Sequence, residues 1–166
     1  MPRGVDHETV HRHSILLVED NPADVKIMQR ALAQVASRVD LTILQDGQEA
    51  IDYLLRQGRY ARPEVSTGPG GRKDGTAGRR PDLIVLDLNL PRLTGIDVLR
   101  QIRAVEHLCL TPVVVLSTSR LPEDVREAYA AGANTYFEKP AEFDRFVEMM
   151  RTILQFWLEM VVLPPS

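Results

Sequence analysis

PDLIVLDLNLP, residues 81–91, is the stretch whose reading decides the fold. Leu83, Ile84, Val85 and Leu86 make an apolar run short enough for one strand and apolar on both faces. A central strand of a parallel sheet reads this way, because helices cover both of its sides. Asp87 ends the run; Asn89 and Pro91 follow, and Gly95 comes soon after. In open α/β sheets, ligands sit in the crevice beyond the carboxyl ends of the strands. A carboxylate placed there marks where chemistry is expected.

Upstream, residues 14–18 (SILLV) form a first strand, with Glu19 and Asp20 at its end and Asn21-Pro22 turning the chain. Val25, Met28, Leu32 and Val35 recur at helical spacing over residues 24–35. Residues 41–44 are a second strand, and Asp46-Gly47 breaks it. A short helix over 49–56 follows, with Ala50, Ile51, Leu54 and Leu55 inward. Downstream, a helix over 95–105 turns Val98, Leu99 and Ile102 to one side. Residues 112–116 (PVVVL) are a fourth strand, ending at Ser117, Thr118 and Ser119. Pro122, Glu123 and Asp124 suit a helix N-terminus, and Gly132 stops that helix. Residues 134–137 are a fifth strand, closed by Glu138-Lys139-Pro140, and a final helix begins near Ala141.

The pattern is βα five times over. It implies a doubly wound, five-stranded parallel α/β sheet with right-handed crossovers. The polar strand ends then gather at one edge. Glu19 and Asp20 end strand one, Asp87 strand three, Ser117 strand four and Lys139 strand five.

The chain has 166 residues, enough for one domain with a sizeable core. Its formal net charge of -3 and pI of about 5.8 give no basic surplus, so direct nucleic-acid binding is not expected. A single cysteine, Cys109, rules out an intrachain disulfide framework and a cysteine zinc cluster. Residues 1–13 lack the apolar core of a signal peptide, and no run reaches the ~18 apolar residues of a membrane span. These features point to a cytoplasmic protein. Residues 1–13 read as a flexible leader. Its His7, His11 and His13 leave metal binding as the sharper alternative. Residues 58–80 read as a long exposed loop rich in Gly, Pro and Arg. Arg59, Arg62, Arg72, Lys73, Arg79 and Arg80 make it basic, so docking of an acidic partner stands beside a solvated loop.

Three acids crowded at one edge repel, and a divalent cation relieves this. Carboxylate oxygens, a backbone carbonyl and phosphate oxygens are what Mg²⁺ prefers. A lysine and a hydroxyl complete the parts that stabilise phosphoryl transfer onto a carboxylate. Asp87 is the candidate nucleophile. A solvated acidic rim with Lys139 in a structural ion pair is the plainer reading. It suits one acid alone better than acids, hydroxyl and lysine on successive strand ends.

ILLVEDNPADV, DLIVLDLNLPRLTGIDVL, PVVVLSTS and Lys139-Pro140 stand in the order and spacing of a known family. Over about residues 14–155 the chain resembles a response regulator receiver domain of two-component signalling. The resemblance implies the flavodoxin- and CheY-like strand order 2-1-3-4-5. It implies that Asp87 accepts a phosphoryl group from a histidine kinase. Glu19, Asp20, Asp87 and the backbone carbonyl of Asn89 would hold Mg²⁺. Lys139, Ser117 and Thr118 would bind the phosphoryl group, with Ser117 the switch hydroxyl and Tyr136 the switch aromatic. Thr94 stands where an Asp often precedes the glycine, and the 58–80 loop is expanded. EDNPADV, DGQEAIDYL, DLNLP and FWLEMVVLP are similar to the stand-alone receivers paired with bacterial and cyanobacterial phytochromes. A bacteriophytochrome-type sensor histidine kinase is the implied partner.

In the last helix Phe143, Val147, Met150, Leu154, Trp157 and Val161 form a narrow seam for packing. Phe146, Ile153, Phe156 and Leu158 are expected to widen the apolar surface beyond it, on a helix running toward Leu163-Pro164. A C-terminal extension over 156–166 is therefore expected to support a homodimer through Phe156, Trp157, Met160 and Val161. Capping of the monomer core by the same residues is the alternative. No output domain is expected after residue 166, so the expected output is a partner or onward phosphotransfer. Three rival readings remain. One is a phosphatase-like hydrolase, disfavoured because Asn89 stands where an acid is wanted. The others are a phosphorylation-independent scaffold and an intermediate in a multistep phosphorelay.

Overall fold

The computed structural model describes residues 12–61 and 80–165. Most of the leader, with His7 and His11, lies outside the described residues. So do Arg62, Arg72, Lys73 and Arg79 of the basic loop.

The elements run β1 (His13–Val18), α1 (Pro22–Leu32), β2 (Val39–Leu44), α2 (Gly47–Leu55), β3 (Leu83–Asp87) and α3 (Gly95–Ala104). They continue with β4 (Val113–Ser117), α4 (Pro122–Ala130), β5 (Thr135–Glu138) and α5 (Phe143–Gln155). All strands pair in parallel, in the order β2-β1-β3-β4-β5. The order reverses between β1 and β3, which opens a crevice at their carboxyl ends.

Strand periodicity builds two cores. Ile15, Leu17, Leu83, Val85, Val114 and Leu116 face α1 and α5. Their neighbours Leu16, Val18, Ile84, Leu86, Val113 and Val115 face α2 and α3. The whole of β3 and β4 is buried, as an apolar strand covered on both faces must be. Each such side chain contributes roughly 1.5–3 kcal/mol by leaving water.

The helix starts are capped locally. Asn21 accepts from the Ala23 amide and Pro22 opens α1. Asp46 accepts from the Glu49 amide and so starts α2 at Gly47, two residues earlier than its apolar pattern suggests. Thr94 and Asp97 form a capping box on α3. The threonine that departs from the common family pattern therefore serves as the N-cap. Gly132, at φ +103°, ends α4 in the left-handed region that favours glycine.

The final helix differs from its expected packing. Phe146, Ile153 and Leu158 are buried with Val147, Met150 and Leu154, whereas Phe143 is 48% exposed. A helix buries a stripe about 100° wide, so both members of each i, i+3/i+4 pair enter the core. Only Phe156 of the four widening residues remains exposed. Regular α-helix stops at Gln155, and a single π-helical turn, Phe156–Met160, carries the chain on. The Val161 amide donates to the Phe156 carbonyl, after which the chain is extended rather than helical. Residues preceding proline avoid the helical region, which suits this stop before Pro164-Pro165. The tail is tied back: Arg80 donates to the carbonyls of Pro164 at 3.0 Å and Pro165 at 2.6 Å. Glu159 accepts from the Ala36 amide at 3.1 Å.

Part of the 58–80 loop has structure. Gly58–Tyr60 forms a 3₁₀ turn. There the Tyr60 ring meets Tyr53 edge-on and its hydroxyl donates to Glu49 at 2.7 Å. No helix among the described residues is long and apolar enough to cross a membrane.

Candidate functional site

Four strand ends converge in the crevice. Glu19 and Asp20 follow β1, Asp87 closes β3, Ser117 closes β4 and Lys139 follows β5. The Lys139 amide donates to the Ser117 carbonyl at 2.8 Å, which fixes the turn after β5 against β4. Gly95 lets α3 approach: a Cβ there would lie 2.3 Å from the Asp87 carbonyl oxygen. Only glycine permits the Asp87 backbone and the helix start to lie so close.

Asp87 is held at both oxygens. Oδ1 accepts from the Asn89 amide at 3.1 Å and Oδ2 from Lys139 Nζ at 3.0 Å. Lys139 Nζ also donates to Glu19 Oε2 and Asp24 Oδ2, both at 2.8 Å. Glu19 Oε1 accepts from the Asn21 amide at 3.0 Å. Glu19 and Asp87 are buried, and Asp20 stands exposed at the rim.

The electrostatics follow from burial. Burial pushes the Glu19 carboxyl up to about 7, reinforced by the Asp87 charge and opposed by the Lys139 and Asn21 hydrogen bonds. For Lys139, burial alone would lower the pKa of the ammonium. Its bonds to Asp24 and Glu19 and the Asp87 charge outweigh that, so its pKa is raised and the ammonium persists.

One oxygen each from Glu19, Asp20 and Asp87 lie within 4.8 Å of one another. Hard oxygen donors so grouped fit a divalent cation, which neutralises their repulsion. The described site thus offers three grouped carboxylates of the kind that fit a divalent cation, an acid at a strand end and a charged lysine on that acid. A cleft of about 390 Å³ opens between the β3–α3 loop and α4, with Asn89 and Ser117 on its wall.

The receiver-domain model of the response regulators matches residues 15–151. The chain belongs to the response regulator receiver domain family. Response regulator Rcp1 of Synechocystis sp. is 38% identical over 152 residues, covering 92% of this chain and 93% of that protein. The Mn²⁺-bound structure of response regulator Rcp1 matches with a TM-score of 0.79 and 37% identity, over 92% of this chain and 99% of the solved chain. The phosphorylated cyanobacterial phytochrome response regulator RcpA matches with a TM-score of 0.80 and 37% identity, over 93% and 100% of the two chains. The bacteriophytochrome response regulator RtBRR matches with a TM-score of 0.64 and 35% identity, over 93% and 86%. This receiver is therefore related to phytochrome response regulators.

Within the receiver, the remaining expected residues are placed as follows. Ser117 is buried, and its Oγ accepts from the Ser119 amide at 3.1 Å. Thr118 is exposed. The half-buried Tyr136 donates its hydroxyl to the Ser119 carbonyl at 2.9 Å. Asn89 meets Asp87 through its amide. Phe156 and Met160 are exposed, while Trp157 and Val161 are half-buried and Trp157 packs against the core. Two residues escaped the sequence reading. Asp24 reads in the sequence only as part of a helix, although an acid in the first helical turn can reach back to the strand end. Ser119, two residues past Ser117, carried no signal beyond its polarity.

Proposed function

We propose that this receiver accepts a phosphoryl group on Asp87 from a sensor histidine kinase, in a reaction that needs Mg²⁺. The placing of Asp87 carries the reading. It sits at the sheet's carboxyl edge, bonded to Lys139, with its oxygen within 4.8 Å of oxygens on Glu19 and Asp20. In the transfer, the P–N bond of a phosphohistidine breaks and a P–O bond to the Asp87 carboxylate forms. The imidazole leaves with the electron pair. The cation, held by Glu19, Asp20, Asp87 and the Asn89 carbonyl, would draw charge from the phosphoryl oxygens. Lys139 holds positive charge beside the accepting oxygen, and the Ser117 and Thr118 hydroxyls offer bonds to the phosphoryl group.

A phosphoryl group adds roughly -1.5 to -2 charge and three strong acceptors. Ser117 turns toward one of them and gives up the Ser119 amide, and Tyr136 loses its fixed partner on the same residue. The signal leaves through the β4–α4 loop and β5 as a shift between two populations. The related phytochrome response regulators support a phytochrome-type kinase as the donor, in the cytoplasm. Residues 14–155 are the working unit, and the extension over 156–166 supports a homodimer. Phe156, Met160 and Val162 are exposed apolar residues at its end, beside the half-buried Trp157 and Val161.

Incubation with acetyl phosphate and Mg²⁺ tests the phosphoacceptor by intact mass. One phosphoryl adduct on the wild type and none on Asp87→Asn is the expected result.

A further inference from the structure

We infer that Asp24 is a positioning residue for Lys139 in phosphoryl transfer, an inference that rests on the phosphoacceptor reading above. An ammonium has three N–H donors. In Lys139 all three are engaged, on Glu19, Asp24 and Asp87 at 2.8, 2.8 and 3.0 Å. Two of these acceptors have other work in the reaction. Glu19 and Asp87 belong to the group whose oxygens lie within 4.8 Å of one another, and Asp87 also gains the phosphoryl group. Asp24 lies outside that group. It is the acceptor left to hold Lys139 when the other two change partners.

The local structure suits that task. Asp24 sits in the first turn of α1, whose start is set by Pro22 and by the Asn21 side chain accepting from the Ala23 amide at 2.9 Å. Its carboxylate is therefore presented from a stiff backbone, and its side chain is only 16% exposed. Lys139 comes from the far side of the crevice, fixed by its own amide on Ser117. Asp24 thus spans from α1 to the turn after β5. It holds the ammonium beside Asp87 without being esterified or bound to the cation. Transfer steps are sensitive to such placement, and small displacements of a charged group lower the rate strongly.

The test compares Asp24→Ala, Asp24→Asn and wild type as full chains. Adduct formation with acetyl phosphate at saturating Mg²⁺ is followed by intact mass, and Mn²⁺ binding by the electron paramagnetic resonance of the free ion. Urea unfolding of each variant confirms that it is folded. Asp24→Ala should form the adduct at least about tenfold more slowly. Asp24→Asn keeps an acceptor oxygen for Lys139 and should recover most of the rate. Mn²⁺ affinity should fall less in either variant than in Asp20→Asn. If Asp24→Ala is folded and phosphorylated at the wild-type rate, the inference is overturned. It is also overturned if Asp24→Ala loses Mn²⁺ as completely as Asp20→Asn, which would make Asp24 a ligand. Asp24→Asn as slow as Asp24→Ala would show that charge, not placement, is what counts, and would overturn it too. If the wild type takes no adduct at all, the phosphoacceptor reading fails first and the inference falls with it.

Discussion

Ser117 and Tyr136 grip the same residue from opposite sides: Ser117 Oγ accepts from the Ser119 amide, and the Tyr136 hydroxyl donates to the Ser119 carbonyl. The two side chains that the family resemblance marks as a switch are thus joined through one residue, Ser119. Tyr136→Phe removes one neutral hydrogen bond, worth about 0.5–1.5 kcal/mol. The variant should lose no more than that in urea unfolding and still take a phosphoryl group. Its amide spectrum should change in the β4–α4 loop before any phosphate is added. An unchanged loop spectrum would show that the Tyr136 bond does not hold Ser119.

Gly95→Ala should be far more costly than a typical helix substitution. The new Cβ would meet the Asp87 carbonyl oxygen at 2.3 Å and the Leu88 Cα at 2.6 Å. Both are backbone atoms, so one of the two elements must move, at about 1–3 kcal/mol or more. Urea unfolding should show that loss, and adduct formation at Asp87 should fall with it. Wild-type stability in this variant would mean that the β3–α3 turn is looser than the structure has it.

Stability without divalent cations should fall as pH rises from 5 to 8. Glu19 titrates near 4.5 in an unfolded chain and at about 7 in the folded one. Between these values the folded state binds more protons, so stability is present at the acid end and lost through pH 7. A shift of this size corresponds to something on the order of 3 kcal/mol. The raised Lys139 pKa adds no slope here, because its contribution is complete below the ordinary lysine value of 10.5. Urea midpoints at the two pH values measure the slope, and Glu19→Gln should flatten it. A wild-type midpoint that rises with pH would contradict this account of Glu19. Added Mg²⁺ should stabilise more at pH 8 than at pH 5, since a ligand carboxylate must be deprotonated.

The C-terminal extension makes a separate prediction. Met160 is 75% exposed and Val162 97%, so charges placed there disturb nothing in the monomer. Met160→Lys with Val162→Lys should change urea stability by less than about 1 kcal/mol and convert a dimer to a monomer in light scattering. A wild type that is already monomeric at high micromolar concentration would rule the dimer out.

The sheet was legible because its strands are short apolar runs that end in polar residues. β3 and β4 could be read almost residue by residue, and their ends put Asp87 and Ser117 at one edge. Glu19, Asp20 and Lys139 followed from the same rule. What was not legible depends on reach across the crevice. Asp24 lies on a helix rather than at a strand end, and its partner Lys139 is 115 residues away in the chain. The buried face of α5 is wider than its sequence seam, because a narrow seam describes a coiled coil whereas a helix on a sheet buries a wider stripe. The π-helical turn at Phe156–Met160 and the Arg80 tie to the tail are tertiary events that no local pattern announces.

The most direct test of the central claim is intact mass after incubation with acetyl phosphate and Mg²⁺, for the wild type, Asp87→Asn and the wild type with chelator. The account predicts a single phosphoryl adduct in the wild type that disappears in the other two samples. An adduct that survives Asp87→Asn, or a wild type that takes none, would contradict it.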